Sequence, residues 1–326
     1  MEKQLEIFNE LYSVTNKWLD VKPWLKFKNS DWIKVSFSAT EYYYCAIGGV
    51  LGNSLGLAVY QGEEGYSDLT ALSNPAYKYA FEYLANDQDC LIFYMGNCEN
   101  VPPAQKKIIE KLGLKYHGRN NWPLFFTLKK RFFLDQVTDE EAFILTKVMK
   151  QILIAIENNS HSIDQVHHLH TYFKDNTWHH TTIAPPIPKS KYVPFIITDE
   201  KILHDLVNCK TCEHSLTMEL FYTGIPMQDD EYDRPINPLF FSVLLDDILI
   251  PIGNSLVRPE INIVEAASNT FINFILSNGR PREIKIRNPL LWSAYQDICD
   301  LCEIKITIDP LEMFDHITDE LINQLD

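Results

Sequence analysis

The chain has 326 residues, 46% of them hydrophobic and 12% aromatic, enough apolar material for two cores and too much for a disordered chain. No run of about eighteen apolar residues is present, which excludes a membrane-spanning helix by sequence. The net charge is −15, and all of the excess lies in residues 131–326, where 15 bases face 30 acids; that balance argues against nucleic-acid binding that rests on neutralising phosphates.

The N-terminal stretch carries Leu5, Phe8, Leu11, Tyr12, Trp18 and Leu19 at helical spacing, which predicts a helix over about Lys3–Leu19 with one apolar stripe. Glu and Lys run through it, and it lacks the apolar block of a secretory signal. Seven cysteines, an odd number over a long chain, fit thiols kept reduced, so a cytoplasmic location is expected.

The densest apolar stretch is Asp31–Asp68. Trp32–Phe37, Tyr42–Gly49 and Leu55–Gln61 read as three strands joined at Ser38–Thr40 and at the Gly52–Asn53–Ser54 corner. In the second, Tyr42, Tyr44 and Ala46 face one way and Tyr43, Cys45 and Ile47 the other, so both faces are apolar and a layered domain is expected. Gly48, Gly49, Gly52 and Gly56 lie between two strands, whereas a phosphate loop lies between a strand and a helix. Gly62, Glu63, Glu64 and Gly65 read as an exposed loop able to contact a ligand.

Two segments carry a resemblance. Ile47–Gly49 followed by GLAVYQGEEGY at Gly56–Tyr66, and Arg280–Pro289 reading RPREIKIRNP, resemble an uncharacterised bacterial family. Its members show an I-x-G…G-L-x-x-Y-x-G-x-x-G segment near the front and R-P-x-x-I-x-V-x-x-P near the back. Ile286 stands here where the pattern has Val. The resemblance spans most of the chain and implies no assigned activity.

Onward from Asp68, Pro75–Leu84 predicts a helix, Cys90–Gly96 a buried strand, Pro102–Leu112 a helix closed by Gly113, and Leu124–Leu128 a strand. Thr138–Glu141 is a capping box opening a helix to Ile156. A polar stretch with His167, His168, His170, His179 and His180 then leads to the Pro185–Pro186–Ile187–Pro188 cluster, and reads as a solvated linker. Thr198–Val207 predicts a short helix. Strands are predicted at Leu216–Thr223, Leu239–Leu245, Ile248–Ile252, Glu283–Arg287 and Ile304–Ile308, and helices at Pro259–Leu276, Pro289–Cys302 and Leu311–Leu325.

Both halves therefore read β-β-β-α-β-α-β, the element order of the ribonuclease H-like fold. The expected architecture is mixed α/β: an N-terminal α/β domain over 1–130, a helical connector with a Pro-rich linker over 131–206, and a C-terminal ribonuclease H-like domain over 207–326. The two halves are expected to be related, degenerate copies.

That fold, when it is a nuclease, holds two metal ions with carboxylates on its first strand, first helix and fourth strand. The second half offers Glu219 on the first strand and Glu265 on the helix, but Arg287–Asn288 where the fourth strand should end in an acid. Asp246 and Asp247 sit at a predicted hairpin corner and read as a solvated turn. Cys209, Cys212 and His214, with His204 nearby, are the candidate zinc ligands. Their second CxxC pair, Cys299 and Cys302, is separated from the first by 86 residues and lies within an apolar helix, so no cofactor is expected. Arg280, Arg282, Lys285 and Arg287 form a basic stripe beside Glu283 that could meet an acidic partner or phosphate. The leading expectation is a non-enzymatic interaction or regulatory module with a protein partner; the alternative is a metal-dependent nuclease.

Overall fold

Strands apolar on both faces form the middle of the first sheet. A computed structural model describes residues 2–28, 30–48, 56–158, 168–189, 191–245, 250–312 and 314–315. Contacts divide the chain into two units. The first holds residues 1–73, 88–129 and 134–189; the second holds 74–87, 130–133 and 190–326. The architecture is mixed α/β, with one sheet of eight strands and one of five among the described residues.

In the first unit, helix α1 (Glu2–Val21) precedes β1 (Trp32–Ser36), β2 (Tyr42–Ile47) and β3 (Gly56–Gln61), which pair as an antiparallel meander. The Gly49, Gly52 and Ser54 corner lies outside the described residues. Helix α2 (Gly62–Leu72) follows directly, so Gly62–Gly65 opens a helix rather than a loop. Two glycines hid this. Gly62, at φ +65°, reverses the chain off β3, and Gly65 lets the helix sit against the Tyr60 backbone.

Strand β4 (Cys90–Gly96) and β5 (Trp122–Leu128) continue the meander beside β3, around helix α4 (Pro103–Lys111), with β6 (Asp135–Gln136) at the edge. The numbering leaves α3 for Phe81–Asn86, which belongs to the second unit and follows a 3₁₀ turn at Pro75–Ala80.

Helix α5 (Asp139–Asn158) opens on the expected capping box, with Glu141 N–H donating to Thr138 Oγ1 at 3.2 Å and Thr138 N–H donating to Glu141 Oε2 at 2.9 Å. It packs on α1 and carries the chain from the β6 edge to β7 (His168–Lys174), which pairs in parallel with β1. Strand β8 (Thr177–Thr182) completes a hairpin.

Two expectations are corrected here. The histidine stretch is not a linker over 168–182, but a hairpin at the sheet edge; His167 lies outside the described residues. Its turn is Asp175–Asn176, both at positive φ (51° and 59°), the twist a two-residue hairpin needs. Alternation of buried Leu169 and Thr171 with His168, His170 and Tyr172 was the signal. The 131–206 connector is likewise divided, since α5 and β7–β8 belong to the first unit.

The first half is also not a second copy of the later one. Its β4 lies antiparallel beside β3, and the free side of β1 is taken by β7; a ribonuclease H-like order would put the fourth strand parallel to the first.

One face of this sheet buries Leu11, Tyr12 and Trp18 of α1 against Phe93, Phe125 and the apolar side of α5. On the other, Trp32, Tyr44 and Tyr60 meet Tyr66 of α2, whose ring stacks on Tyr44 at 4.3 Å.

In the second unit, α6 (Glu200–Asn208) is capped by Asp199 and leads to β9 (Ser215–Tyr222), β10 (Leu239–Leu245) and β11 (Ile250–Val257), an antiparallel trio. Helix α7 (Ile263–Asn278) then precedes β12 (Glu283–Ile286), α8 (Pro289–Cys302) and β13 (Lys305–Ile308). Strand β12 runs parallel to both β9 and β13, giving the order β11-β10-β9-β12-β13. This is the parallel neighbourhood that the element order predicted. Asp246, Asp247 and most of the Leu311–Leu325 segment lie outside the described residues.

Replacing Gly65 by Ala puts a methyl group within 2.9 Å of the Tyr60 backbone, where α2 sits on β3. Urea unfolding should show a loss of about 1–3 kcal/mol; an unchanged midpoint would mean that α2 can shift along the sheet without cost.

Candidate functional site

Period-two geometry brings the expected catalytic region together. On parallel neighbours β9 and β12, Ser215 faces Glu283 and Thr217 faces Lys285, so the same register sets Glu219 beside Arg287 just past the strand end. Glu219 is 1% exposed. Arg287 Nε donates to Glu219 Oε2, Nη1 donates to the Pro310 carbonyl at 3.1 Å, and Nη2 lies 2.7 Å from Asp315 Oδ1. The Leu220 N–H donates to Glu219 Oε1 at 2.7 Å.

Burial pushes the Glu219 carboxyl up to about 7, although Arg287 and the Leu220 N–H pull it the other way. Burial also acts against the Arg287 cation, but Glu219 and Asp315 more than offset it and hold its pKa up.

Glu265 is placed elsewhere. It lies in the first turn of α7, where its N–H donates to the Asn262 side chain, and it lines a cavity with Tyr83. Tyr83 stacks on Tyr222, three residues from Glu219 on the same strand and so on the opposite face. The two carboxylates do not share a site. Asn288, where a third acid would stand, is fully buried and caps α8 by accepting from the Leu290 N–H.

The basic stripe is mostly engaged inside the protein. Glu283, Lys285 and Arg287 do share a face, but Glu283 binds Lys305 Nζ at 2.7 Å and Thr307 Oγ1 at 2.6 Å, and Arg287 is committed as above. Arg280 Nη1 donates to the Cys302 carbonyl; Arg282 alone of the four is exposed. In the first unit, Glu63 receives the Tyr44 hydroxyl at 3.3 Å and lies 4.0 Å from Lys34, while Glu64 is exposed on the helix surface.

The Cys209–His214 loop is pinned along Gly279–Arg282: Cys212 N–H donates to the Arg280 carbonyl, Arg280 N–H to Lys210, and Arg282 N–H to His214. Burial pushes the Cys302 thiol up, with Cys209 adding to the effect and Arg280 opposing it, so the loop does approach the second CxxC pair. Among the described residues no group of three or more His, Cys, Asp or Glu could hold a metal ion. His204 is exposed beside Asp205.

A site that sequence reasoning missed lies around Asp87. Its carboxylate accepts from the Tyr222 hydroxyl at 3.1 Å and pairs with Lys191 Nζ at 3.2 Å, both partners of that pair being over nine-tenths buried. The Lys191 ammonium also reaches the Asp87 carbonyl at 2.9 Å. Asp87 and Lys191 edge a cavity of about 700 Å³, walled by Arg131, Tyr192, Phe195, Ile263 and Leu290 among others. No local pattern could have found it, because its parts come from residues 83–87, 130–131, 191–196 and 259–290.

The fold and these sites define a two-unit mixed α/β protein with an internal ion-pair cluster. Residues 8–178, more than half of the chain, match the family described as Domain of unknown function (DUF7309), and the chain belongs to it; residues 203–322 match a second, Domain of unknown function (DUF6930). No curated protein and no solved structure matches the chain. The resemblance drawn from the Ile47–Gly49, Gly56–Tyr66 and Arg280–Pro289 segments, to a family without assigned activity, holds at that level.

An acid with a raised folded-state pKa binds protons that the unfolded chain has already lost. Its contribution therefore favours folding below about 4.5 and falls away as pH rises to about 7. Between pH 5 and 7.5 the parent should lose about 1–3 kcal/mol relative to Glu219→Gln in urea titrations. A difference that stays constant with pH would show that Glu219 titrates in the ordinary carboxylate range.

Proposed function

We propose that the chain is a non-enzymatic interaction or regulatory module of the cytoplasm, acting through a protein partner, whose second unit is a degenerate ribonuclease H-like domain. The sheet order β11-β10-β9-β12-β13, with β12 and β13 parallel to β9, supports the fold assignment. The observation that carries the functional reading is the engagement of Glu219. It stands on the central strand, where that fold places a metal-binding carboxylate, and it is buried against the Arg287 guanidinium. Two-metal chemistry needs carboxylates converging on ions roughly 3.5–4 Å apart. An arginine bound to that carboxylate repels those ions.

The charge balance supports a protein rather than a polyanion as partner, since residues 131–326 carry twice as many acids as bases. Seven free cysteines, four of them buried, fit a reducing compartment. Among the described residues no helix is long and apolar enough to cross a membrane.

The test is incubation with single- and double-stranded DNA and RNA in magnesium or manganese. No cleavage is expected. Cleavage that disappears in both Glu219→Gln and Glu265→Gln proteins would replace this reading with the metal-dependent nuclease.

A further inference from the structure

The wall of the cavity beside Asp87 carries a buried donor that goes unmet among the described residues. Three cations reach its wall, Lys130, Arg131 and Lys191, against two acids, Asp87 and Glu265. Lys191 is bound to Asp87. Arg131 is 8% exposed, and its Nη1 atom is buried with no hydrogen-bond partner among the described residues. A guanidinium costs free energy when buried, and the cost stands until its donors are met.

The backbone adds to the signal. Arg131 sits at φ +72°, a left-handed conformation rare outside glycine, and its carbonyl is held there by the Asn237 N–H at 2.9 Å. Such strain persists where the surroundings impose it, commonly at ligand sites.

Two helices of 16 and 14 residues also begin on this wall: α7, through Asn262–Glu265, and α8, through Leu290. Their N-terminal dipole ends favour negative charge. The remaining surface is apolar, with Val193, Ile196 and Pro259 joining Phe195, Ile263 and Leu290. Tyr192 anchors this strap to α8, its carbonyl accepting from the Ser293 hydroxyl at 3.1 Å.

We propose that this cavity binds a small amphipathic carboxylate, its head group on the Arg131 guanidinium and its apolar body against the Val193–Ile196 strap. A planar guanidinium fork matches a planar carboxylate. A phosphate dianion would meet Asp87 and Glu265 on the same wall. The volume suits a ligand of this kind, since small-molecule sites run from about 300 to 1,000 Å³. The proposal does not depend on whether the second unit lacks catalysis, because Arg131 and Glu219 belong to different sites.

Calorimetric titration of the full chain with 4-phenylbutyrate and decanoate, beside 4-phenylbutyramide and inorganic phosphate, tests it. The carboxylates should bind at millimolar concentration or below, and the amide and phosphate at least tenfold more weakly. Arg131→Gln should lose at least tenfold in carboxylate affinity, yet unfold in urea no earlier than the parent, because it removes a buried cation whose Nη1 has no hydrogen-bond partner among the described residues. Val264→Trp, which fills the cavity and leaves Arg131 in place, should lose binding as well. Equal binding of the amide, preference for phosphate, unchanged affinity in Arg131→Gln, or no carboxylate binding up to about 10 mM each overturns the proposal.

Discussion

A carboxylate in the middle of a sheet must be neutralised, and the second unit is arranged around meeting that demand at Glu219. The Arg287 guanidinium reaches it from the adjacent parallel strand and uses its other donors on the Pro310 carbonyl and on Asp315. One side chain thereby fastens β9, β12 and the segment after β13. Phe314 and Leu311 on that segment close over Leu244 and Phe221 of the same sheet face. Removing Arg287 leaves Glu219 buried without its cation, a loss of about 3–5 kcal/mol in comparable cases. On this face the carboxylate, the guanidinium and the chain after β13 form one clamp.

The first unit solves a different problem. Its central strands are apolar on both sides, so the sheet needs cover above and below. Helices α1 and α5 supply one layer and α2 the other. The second layer is thin, and aromatic rings make up for it: Trp32 packs edge-on to Tyr44 and Tyr66, and stacks on His168 at 4.4 Å. The Tyr66 and Ser67 side chains then hold the 183–189 stretch, donating to the carbonyls of Pro186 and Lys189 at 3.0 Å. The proline cluster that reads as a free linker is tied down by those two hydroxyls.

What the sequence revealed tracks how local each cause is. The capping box at Thr138, the Pro289–Cys302 helix, and the strands Cys90–Gly96 and Leu239–Leu245 depend on neighbours within a few residues, and these are found where expected. The parallel pairing of β12 with β13 follows from a strand-helix-strand unit, which leaves little choice of topology. The placement of β4 beside β3 instead of β1 does not follow from any such unit. It depends on β7 arriving from more than a hundred residues away to claim the edge of β1. The same holds for the sites. Glu219 and Arg287 could each be picked out, but as a metal ligand and a surface base, because their register is set by pairing. Asp87, Arg131 and Lys191 could not be picked out at all.

The second unit is discontinuous, drawing residues 74–87 and 130–133 from within the first half of the chain. During synthesis this ordering has a cost in time. Tyr83 and Asp87 leave the ribosome 135 residues or more before Tyr222, the ring and hydroxyl they are built to meet. At ordinary elongation rates that interval is roughly 7–27 s. Over it, a buried-type tyrosine and the carboxylate of the Lys191 pair are carried by a nascent chain with nothing yet to cover them. Strands β4 and β5, made in the same interval, can join β3 at once. Birth order therefore favours completion of the eight-stranded sheet while the smaller sheet's earliest pieces, in the Asn74–Asp87 segment, wait.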